Sequence, residues 1–489
     1  MKRFLSFFLL LALTLTCLFV FSSCKKKGGD DDGPAARLFD ESGLLCVRRD
    51  GKYGFINKKG KEVIPCEFAS ADRFRNGAAI VKDDMNGDSY YIGVKGKPLF
   101  ERTFASAYPF DDYDRAVVHA IADGPAELIN KKGETVFSAT RIESTGAGIY
   151  LYESENGKMG AVDPNGETVL VPAYESLSAC YRIEWNEFGV KRHVPVNDRL
   201  YSITREPGTD HYAWSLIDLN GNVIYASDAL IDYFYGNRSV ANRIGAFDVI
   251  DRDGNVIFSR DGKVISQTES YMLVDVSDGS VAYSQHDQWV VYGLDGEVLY
   301  DFRGSGFYPA FWCGANDFAV LNIQTDEHGL VNLKGEIVVP CTYDSVVPSD
   351  GNGNSVCRKG DTYYVIDGEG KTVFQKTCDY LTTSDHFAGK YYLACYEAEN
   401  GTETYELLSP KGKTVQTFGT EYSFGLIIWE DASQPFAFIN HDCGYYADGY
   451  LVVLDGKTET FMIMQKKSKK FKVINHEYYN YLGLPMYFD

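Results

Sequence analysis

Apolar and polar positions along this chain recur in a fixed frame around a series of glycines. The first instance is Tyr53-Gly54-Phe55-Ile56-Asn57-Lys58-Lys59-Gly60-Lys61-Glu62-Val63-Ile64-Pro65. The same frame surrounds Gly96, Gly133, Gly166, Gly221, Gly254, Gly296, Gly335, Gly370, Gly412 and Gly456. Four residues before each glycine the position is apolar or aromatic, as at Ile56, Ile129, Ile217 and Ile366. Three residues before it, Asn57, Asn130, Asp163, Asp218, Asp251, Asn332 and Asp367 supply an Asx side chain. Three residues after it the position is apolar from Val63 to Val415, and Glu459 departs from the rule. Asx opening a four-residue turn that glycine closes is type I turn chemistry: the side chain caps the backbone and glycine takes positive φ. Each frame therefore predicts a β-hairpin with fixed inward positions on both strands.

Longer copies support a true repeat. Phe68-Ala69-Ser70-Ala71 returns as Phe104-Ala105-Ser106-Ala107, and Val63-Ile64-Pro65-Cys66-Glu67-Phe68 parallels Val338-Val339-Pro340-Cys341-Thr342-Tyr343. Apolar runs such as Ala78-Ala79-Ile80-Val81 precede several hairpins, which predicts at least three strands per unit. Tyr53-Gly54, Met159-Gly160 and His328-Gly329 each place a second glycine six residues before the anchor. These units resemble the WG repeat, in which Trp-Gly, an apolar pair, an Asx and a glycine precede a Glu-Val-Ile-Pro-like strand. No unit here keeps the tryptophan, and the units between Gly221 and Gly296 keep the turn alone. The resemblance spans about residues 44–460 and implies an all-β repeat architecture outside the cytoplasm; it implies no reaction.

A period within 20–50 residues signals a solenoid, a propeller or an array. The fold class expected is all-β: WG-like repeats forming a β-propeller in one or two rings, or a curved array of small sheets. Eleven units exceed the usual blade count of one ring. The widest gap between anchors, Gly166 to Gly221, holds Arg182 to Asp210, expected to be an irregular insertion or a boundary. The organisation expected is then 37–181 and 211–489 as repeats flanking 182–210. Aromatic doublets at Tyr90-Tyr91, Tyr363-Tyr364, Tyr391-Tyr392 and Tyr445-Tyr446 place neighbouring rings on opposite strand faces. In a one-faced sheet one member of each would be free to stack on a sugar or a partner; the alternative is burial between packed sheets.

The N-terminus carries an address. Met1-Lys2-Arg3 precedes an uncharged stretch from Phe4 to Phe21, then Ser22-Ser23-Cys24. A basic start, an apolar run and small residues before a cut describe a signal peptide over 1–23. Phe21-Ser22-Ser23-Cys24 resembles the lipobox of bacterial lipoproteins, which implies lipidation at Cys24; an uncleaved anchor and acylation at Cys17 are the alternatives. Residues 24–36, with Lys25 to Lys27 and Asp30 to Asp32, read as a flexible charged tether. The acidic triplet is also similar to the surface-export signal of Bacteroidetes lipoproteins. The expected location is the outer membrane, on its periplasmic or cell-surface side.

Composition narrows the partners. The formal charge of −20 becomes −22 when Lys2 and Arg3 leave with the leader. Such an acidic chain repels phosphate backbones, which excludes nucleic acid and leaves membrane attachment to the lipid. Of eleven cysteines, nine follow Cys24. None forms a CxxC, and Cys66 and Cys341 share one repeat position, which favours small core residues over a disulfide framework. No HExxH, GxSxG or phosphate-loop motif is present, and the eight histidines lack metal spacing. His328 stands at the tryptophan position of a repeat, where a structural role outweighs catalysis. Asp84–Asp88 and Asp350–Asn354 have the Asx and glycine content of β-turns or of weak calcium loops.

No cofactor, metal or catalytic residue is expected. The reading reached is a non-enzymatic, lipid-anchored binding module for an envelope protein, a host protein or a glycan. A structural component of the envelope and a glycan-acting enzyme with unidentified carboxylates are the alternatives. Candidate binding residues are Trp185 and Trp214, near the ends of the irregular segment. For the address, Cys24→Ser is expected to block processing and abolish labelling by palmitate. Continued label uptake by the variant would place the lipid on Cys17 or elsewhere.

Overall fold

The computed structural model describes residues 38–185, 191–205, 212–243, 245–268, 270–276, 288–313, 317–348, 353–381, 391–423, 445–447, 449–455, 460–467, 470–475 and 481–482. Cys17, Cys24 and the tether lie outside them. The described residues contain strands and turns and no α-helix. Among the described residues ten sheets form, antiparallel but for one pairing, and one of them has eight strands. That sheet is two four-stranded meanders joined by parallel pairing of Arg182 with Phe234 and Ile183 with Tyr235. The chain thus contains eleven consecutive meanders, matching the eleven glycine-centred frames.

Sheet one takes Leu44–Arg49, Lys52–Asn57 and Glu62–Phe68 from the start of the repeats, and its first strand, Tyr481–Leu482, from the other end of the chain. Sheet eleven is built from Tyr422–Ser423, Tyr450–Asp455, Thr460–Lys467 and Lys470–Asn475, with Tyr445–Ala447 also pairing with its second strand. Its strands Tyr450–Asp455 and Thr460–Lys467 pack on sheet one through Val452, Phe461 and Ile463 against Leu45, Val47 and Ile56. Successive sheets pack likewise all the way round: Phe55 and Ile64 of sheet one lie with Ala79 and Ile92 of sheet two. Leu393 and Leu407 of sheet ten lie with Leu451 and Met462 of sheet eleven. Every sheet meets the next and the last meets the first, so the meanders close into a single ring. Neither two rings nor an open array is formed, and the count exceeds the four to eight blades usual for propellers. Closure satisfies the apolar outer faces that an open stack would leave at its two ends.

The hairpin chemistry accounts for each unit. In sheet one Gly60 N–H donates to Asn57 O at 2.8 Å, and Asn57 Oδ1 accepts from the amides of Lys59 and Lys61. The paired acceptance recurs at Asn130, Asp163, Asp218, Asp251, Asn332 and Asp367, all seven Asx residues of the pattern. All ten anchor glycines within the described residues have positive φ, from 72° at Gly412 to 89° at Gly296. The residue four before each is buried in every case, from Ile56 through Tyr292 to Leu408.

The anchors carry a second constraint. A Cβ on Gly60 would lie 2.6 Å from Ile474 O, on the last strand of the preceding sheet. On Gly166, Gly254 and Gly370 it would lie 2.7, 2.5 and 2.4 Å from the carbonyls of Val136, Ile224 and Val338. Those three carbonyls belong to residues three after the preceding anchor. That position, expected to point into its own hairpin's core, is half-buried beneath the next sheet's turn instead. On Gly133, Gly296 and Gly412 a Cβ would meet the rings of Phe100, Phe258 and Phe374.

The WG-type glycine has a different task. A Cβ on Gly54, Gly160 or Gly329 would fall within 2.7 Å of a backbone atom in the fourth strand of its own sheet. There the register shifts by a bulge, and Tyr53, Met159 and His328 stand opposite Phe68, Tyr174 and Tyr343. His328 is thus a packing residue of this bulge.

Packing on both faces also resolves the doublets. Tyr391 sits in the interface to sheet eleven and Tyr392 in the interface to sheet nine. Tyr90 and Tyr91 divide between the sheets on either side in the same way, as do Tyr363 and Tyr364. The side chains of Tyr445 and Tyr446 lie outside the description. Seven cysteines are described, all as free thiols, and Cys46, Cys180, Cys357 and Cys378 are buried. Burial pushes these thiols up, to about 11 for Cys180 and about 12 for Cys357, so they pack as small apolar groups.

Gly51 offers an internal control, since it has the same φ of 75° as Gly60 with nothing within 4 Å of its missing Cβ. Gly51→Ala is expected to cost about 1–2 kcal/mol from backbone strain. Gly60→Ala is expected to cost roughly 1–3 kcal/mol more, because the methyl must displace the neighbouring sheet. Denaturant midpoints of the two variants measure the difference; equal losses would show that the ring contact at Gly60 is slack.

Candidate functional site

In sheet five the repeat is enlarged. Its first two strands, Ser176–Trp185 and Lys191–Arg205, run well past the strand lengths of the other units. The segment expected to be irregular is a regular antiparallel hairpin from Arg182 opposite Val194 to Trp185 opposite Lys191. The added residues extend an existing ladder, which satisfies their backbone groups better than a free loop would. Residues 186–190 and 206–211 are outside the described set.

The first strands of sheets five and six pair with each other. Sheet edges converge toward the centre of a ring, so this edge is the inner one and the long hairpin rises from it. At its base, three aromatic side chains from two sheets come together. Tyr181 and His193 belong to the hairpin, and Tyr233 to the loop before Phe234–Tyr235, the first strand of sheet six. Their ring centroids are 4.8 Å apart for His193 and Tyr233, 6.1 Å for Tyr181 and Tyr233, and 6.2 Å for Tyr181 and His193. All three contacts are edge-on, the geometry that aligns the positive edge of one ring with the negative face of another. Tyr233 is 41 % exposed.

Acidic groups frame this cluster. Burial, and then the charge of Glu143 from sheet four, raises the Tyr181 phenol above its ordinary value, so it remains a neutral hydrogen-bonding group. On the other face of the same strand Arg182 pairs with Glu184 at 2.7 Å. Sheets four, five and six all contribute, with phenols, an imidazole and carboxylates but no nucleophile paired with a base. Such a surface can stack, accept and donate hydrogen bonds. Among the described residues, no group of three or more His, Cys, Asp or Glu side chains could hold a metal. Asp84 caps its own turn through Asn86 N–H, and the companion loop at 350–354 is described only in part.

Of the two tryptophans named from the sequence, Trp214 is not in this cluster. Trp214 lies in the third strand of sheet five, half-buried against the core it shares with sheet six, edge-on to Tyr201 at 5.8 Å. Trp185 ends the first strand of the hairpin, and its side chain lies outside the description. Tyr181, His193 and Tyr233 carried no motif; a pointer to the region was the 55-residue anchor spacing, which marked the enlarged unit.

A second departure lies on the fourth strands. Two residues after the anchor stand Glu62, Pro98, Thr135 and Thr168 in sheets one to four, and Thr372 and Thr414 in sheets nine and ten. In sheets five to eight the same position is Val223, Val256, Val298 and Ile337, exposed by 61, 49, 53 and 50 %. One arc of the ring thus carries both the hairpin and a row of apolar side chains open to solvent.

Residues 53–84 and 329–363 match the WG containing repeat. The chain carries WG repeats. The two matched regions begin at Tyr53 and Gly329, in sheets one and eight, where the glycine that admits the bulged fourth strand is kept. No curated protein matches the sequence. Among solved structures, a eukaryotic initiation factor aligns over 77 % of this chain and 95 % of its own at 10 % identity, with a TM-score of 0.31. Hsv2p of Kluyveromyces lactis aligns over 60 % and 97 % at 10 % identity and a TM-score of 0.27. The WD40 beta propeller domain of Doa1 aligns over 49 % and 87 % at 11 % identity and a TM-score of 0.22. At these scores the likenesses carry no weight of their own; the propeller assignment rests on the strand pairing and ring closure above.

The placement of the aromatic residues separates two roles. Trp214→Ala is expected to cost about 2–4 kcal/mol by leaving a cavity beside Tyr201. Tyr233→Ala, at an exposed loop, is expected to cost less than about 1 kcal/mol. Thermal unfolding of both variants checks this; comparable losses would make the Tyr233 cluster part of the core.

Proposed function

We propose that this protein is a non-enzymatic binding module, held to the outer membrane through lipid on Cys24, whose partner docks on the long hairpin of sheet five. The observation that carries the reading is the aromatic cluster of Tyr181, His193 and Tyr233. It is assembled across two sheets at the place where the repeat is enlarged. Loops and extensions on a rigid repeat scaffold are where recognition residues accumulate. Exposed aromatics beside carboxylates suit a protein interface anchor or a glycan platform. The exposed row from Val223 to Ile337, on the fourth strands of the same arc, adds a separate apolar area that a protein partner can cover. That row favours an envelope or host protein over a glycan as the partner. The acidic chain gives nucleic acid no purchase.

The test is capture from envelope extracts by the full chain, followed by affinity measurement with the captured partner. Tyr181→Ala combined with Tyr233→Ala is expected to weaken that affinity at least tenfold while the melting temperature stays nearly constant. Unaltered affinity in the double variant would remove the hairpin as the docking site. Release of sugars from any captured glycan would overturn the non-enzymatic reading.

A further inference from the structure

The interface between sheets two and three is apolar over most of its extent, with Ile80, Tyr91, Phe104, Phe110 and Val118 interleaved. Toward the inner edge it opens into a cleft of about 230 Å³. One wall is the pair of strands Ser70–Ala71 and Ala78–Lys82, in which Ser70 stands opposite Lys82 and Ala71 opposite Val81. Asp72 N–H donates to Ile80 O, continuing the ladder by one residue. Side chains alternate along a strand, so Ser70, Asp72, Ile80 and Lys82 share the face turned to sheet three. Ala71 and Val81 turn the other way, into the core shared with sheet one. The facing wall is Ala105-Ser106-Ala107 of sheet three, the second copy of the Ala-Ser-Ala tract that forms the first wall. Two small-residue tracts meet here, and neither fills the space between them.

What lines this space is chemically specific. A carboxylate, an ammonium and the hydroxyls of Ser70 and Ser89 border one cavity, with Ser106 contributing backbone between the two alanines. Among the described residues, Asp72 and Lys82 form no ion pair with each other; the register sets them diagonally, since Lys82 faces Ser70 and Asp72 faces Ile80. Surrounding protein raises the Asp72 carboxyl above its ordinary value while Arg75 favours its charged form. Opposite charges on the wall of a partly enclosed cleft are stabilised when a bound group pairs each of them. The volume lies below the 300–1,000 Å³ typical of drug-sized ligand pockets, which limits an occupant to about ten non-hydrogen atoms.

We infer that this cleft binds a small zwitterion, an α-amino acid, with its ammonium on Asp72, its carboxylate on Lys82, and the serine hydroxyls completing both shells. Ile80 and the methyls of Ala105 and Ala107 leave room for a short side chain. The site is independent of the hairpin on sheets five and six, so the two readings stand or fall separately.

Titration calorimetry of the full chain with glycine, L-alanine and L-serine tests the inference, with acetate and methylammonium as single-charge probes. Saturable binding of at least one amino acid is expected, with each single-charge probe at least tenfold weaker. Asp72→Asn and Lys82→Met are each expected to weaken binding at least tenfold without lowering the melting temperature of the free protein. Ala107→Leu, which fills the cleft, is expected to abolish it, and Ala107→Ser to retain it. Failure of all three amino acids to saturate at millimolar concentration would overturn the inference. So would acetate binding as tightly as L-alanine, or binding that survives both charge substitutions.

Discussion

The close approach of each turn glycine to the last strand of the preceding sheet is the contact on which the ring depends. A sheet of four short strands buries too little by itself and is stable here because both of its faces are covered. The distance between neighbours is set where the turn of one sheet lies on the strand of another. At Gly60, Gly166, Gly254 and Gly370 that distance leaves no room for a Cβ. The same residue must hold positive φ to close the turn, so the demands of the hairpin and of the ring coincide on one atom. This explains why glycine persists at Gly96, Gly296 and Gly412, in units that have lost the Asx.

Ring closure then follows from a small number of additional contacts. Tyr481–Leu482 completes sheet one by pairing with Val47 and Arg48, and Asn475 donates its buried side-chain amide to Gly60 O at 2.8 Å. Other turn carbonyls are held by other donors: Arg102 reaches Gly133 O at 2.7 Å across sheets two and three. Arg115 binds Pro164 O across sheets three and four. Arg199 donates to Arg252 O across sheets five and six. These polar braces vary in residue type because each needs only a donor of sufficient reach, whereas the glycine beneath them admits no substitute. Energetically the molecule is a cycle of nearest-neighbour interfaces, with no single core.

Freedom to vary lies where neither turn nor interface makes a demand. Several first strands are short and pair over two residues, as Ser106–Ala107 does with His119 and Val118. Lengthening one of them in sheet five adds a hairpin without disturbing the ring, because the extra residues pair with each other. Small side chains in two successive first strands leave the cleft between sheets two and three. The proposed docking surface and the proposed amino-acid site both follow from changes at the inner edge, the least constrained part of each unit.

The local structure was legible because its causes are local. An Asx three residues before a glycine and an apolar residue four before it are sufficient to specify a capped turn and a buried position. All seven such Asx residues and all ten described anchors behave accordingly. The all-β class and the number of units followed from counting these frames. Trp214 was legible as a large aromatic side chain, but its burial against Tyr201 depends on sheet six, which lies beyond the reach of local pattern. Tyr181, His193 and Tyr233 meet through parallel pairing of two first strands, a contact that no periodicity encodes. One ring rather than two was decided by Tyr481–Leu482 returning to Val47 and Arg48, more than four hundred residues away in sequence. Hairpin geometry is set by neighbours in the chain; closure, the cleft and the aromatic cluster are set by neighbours in space.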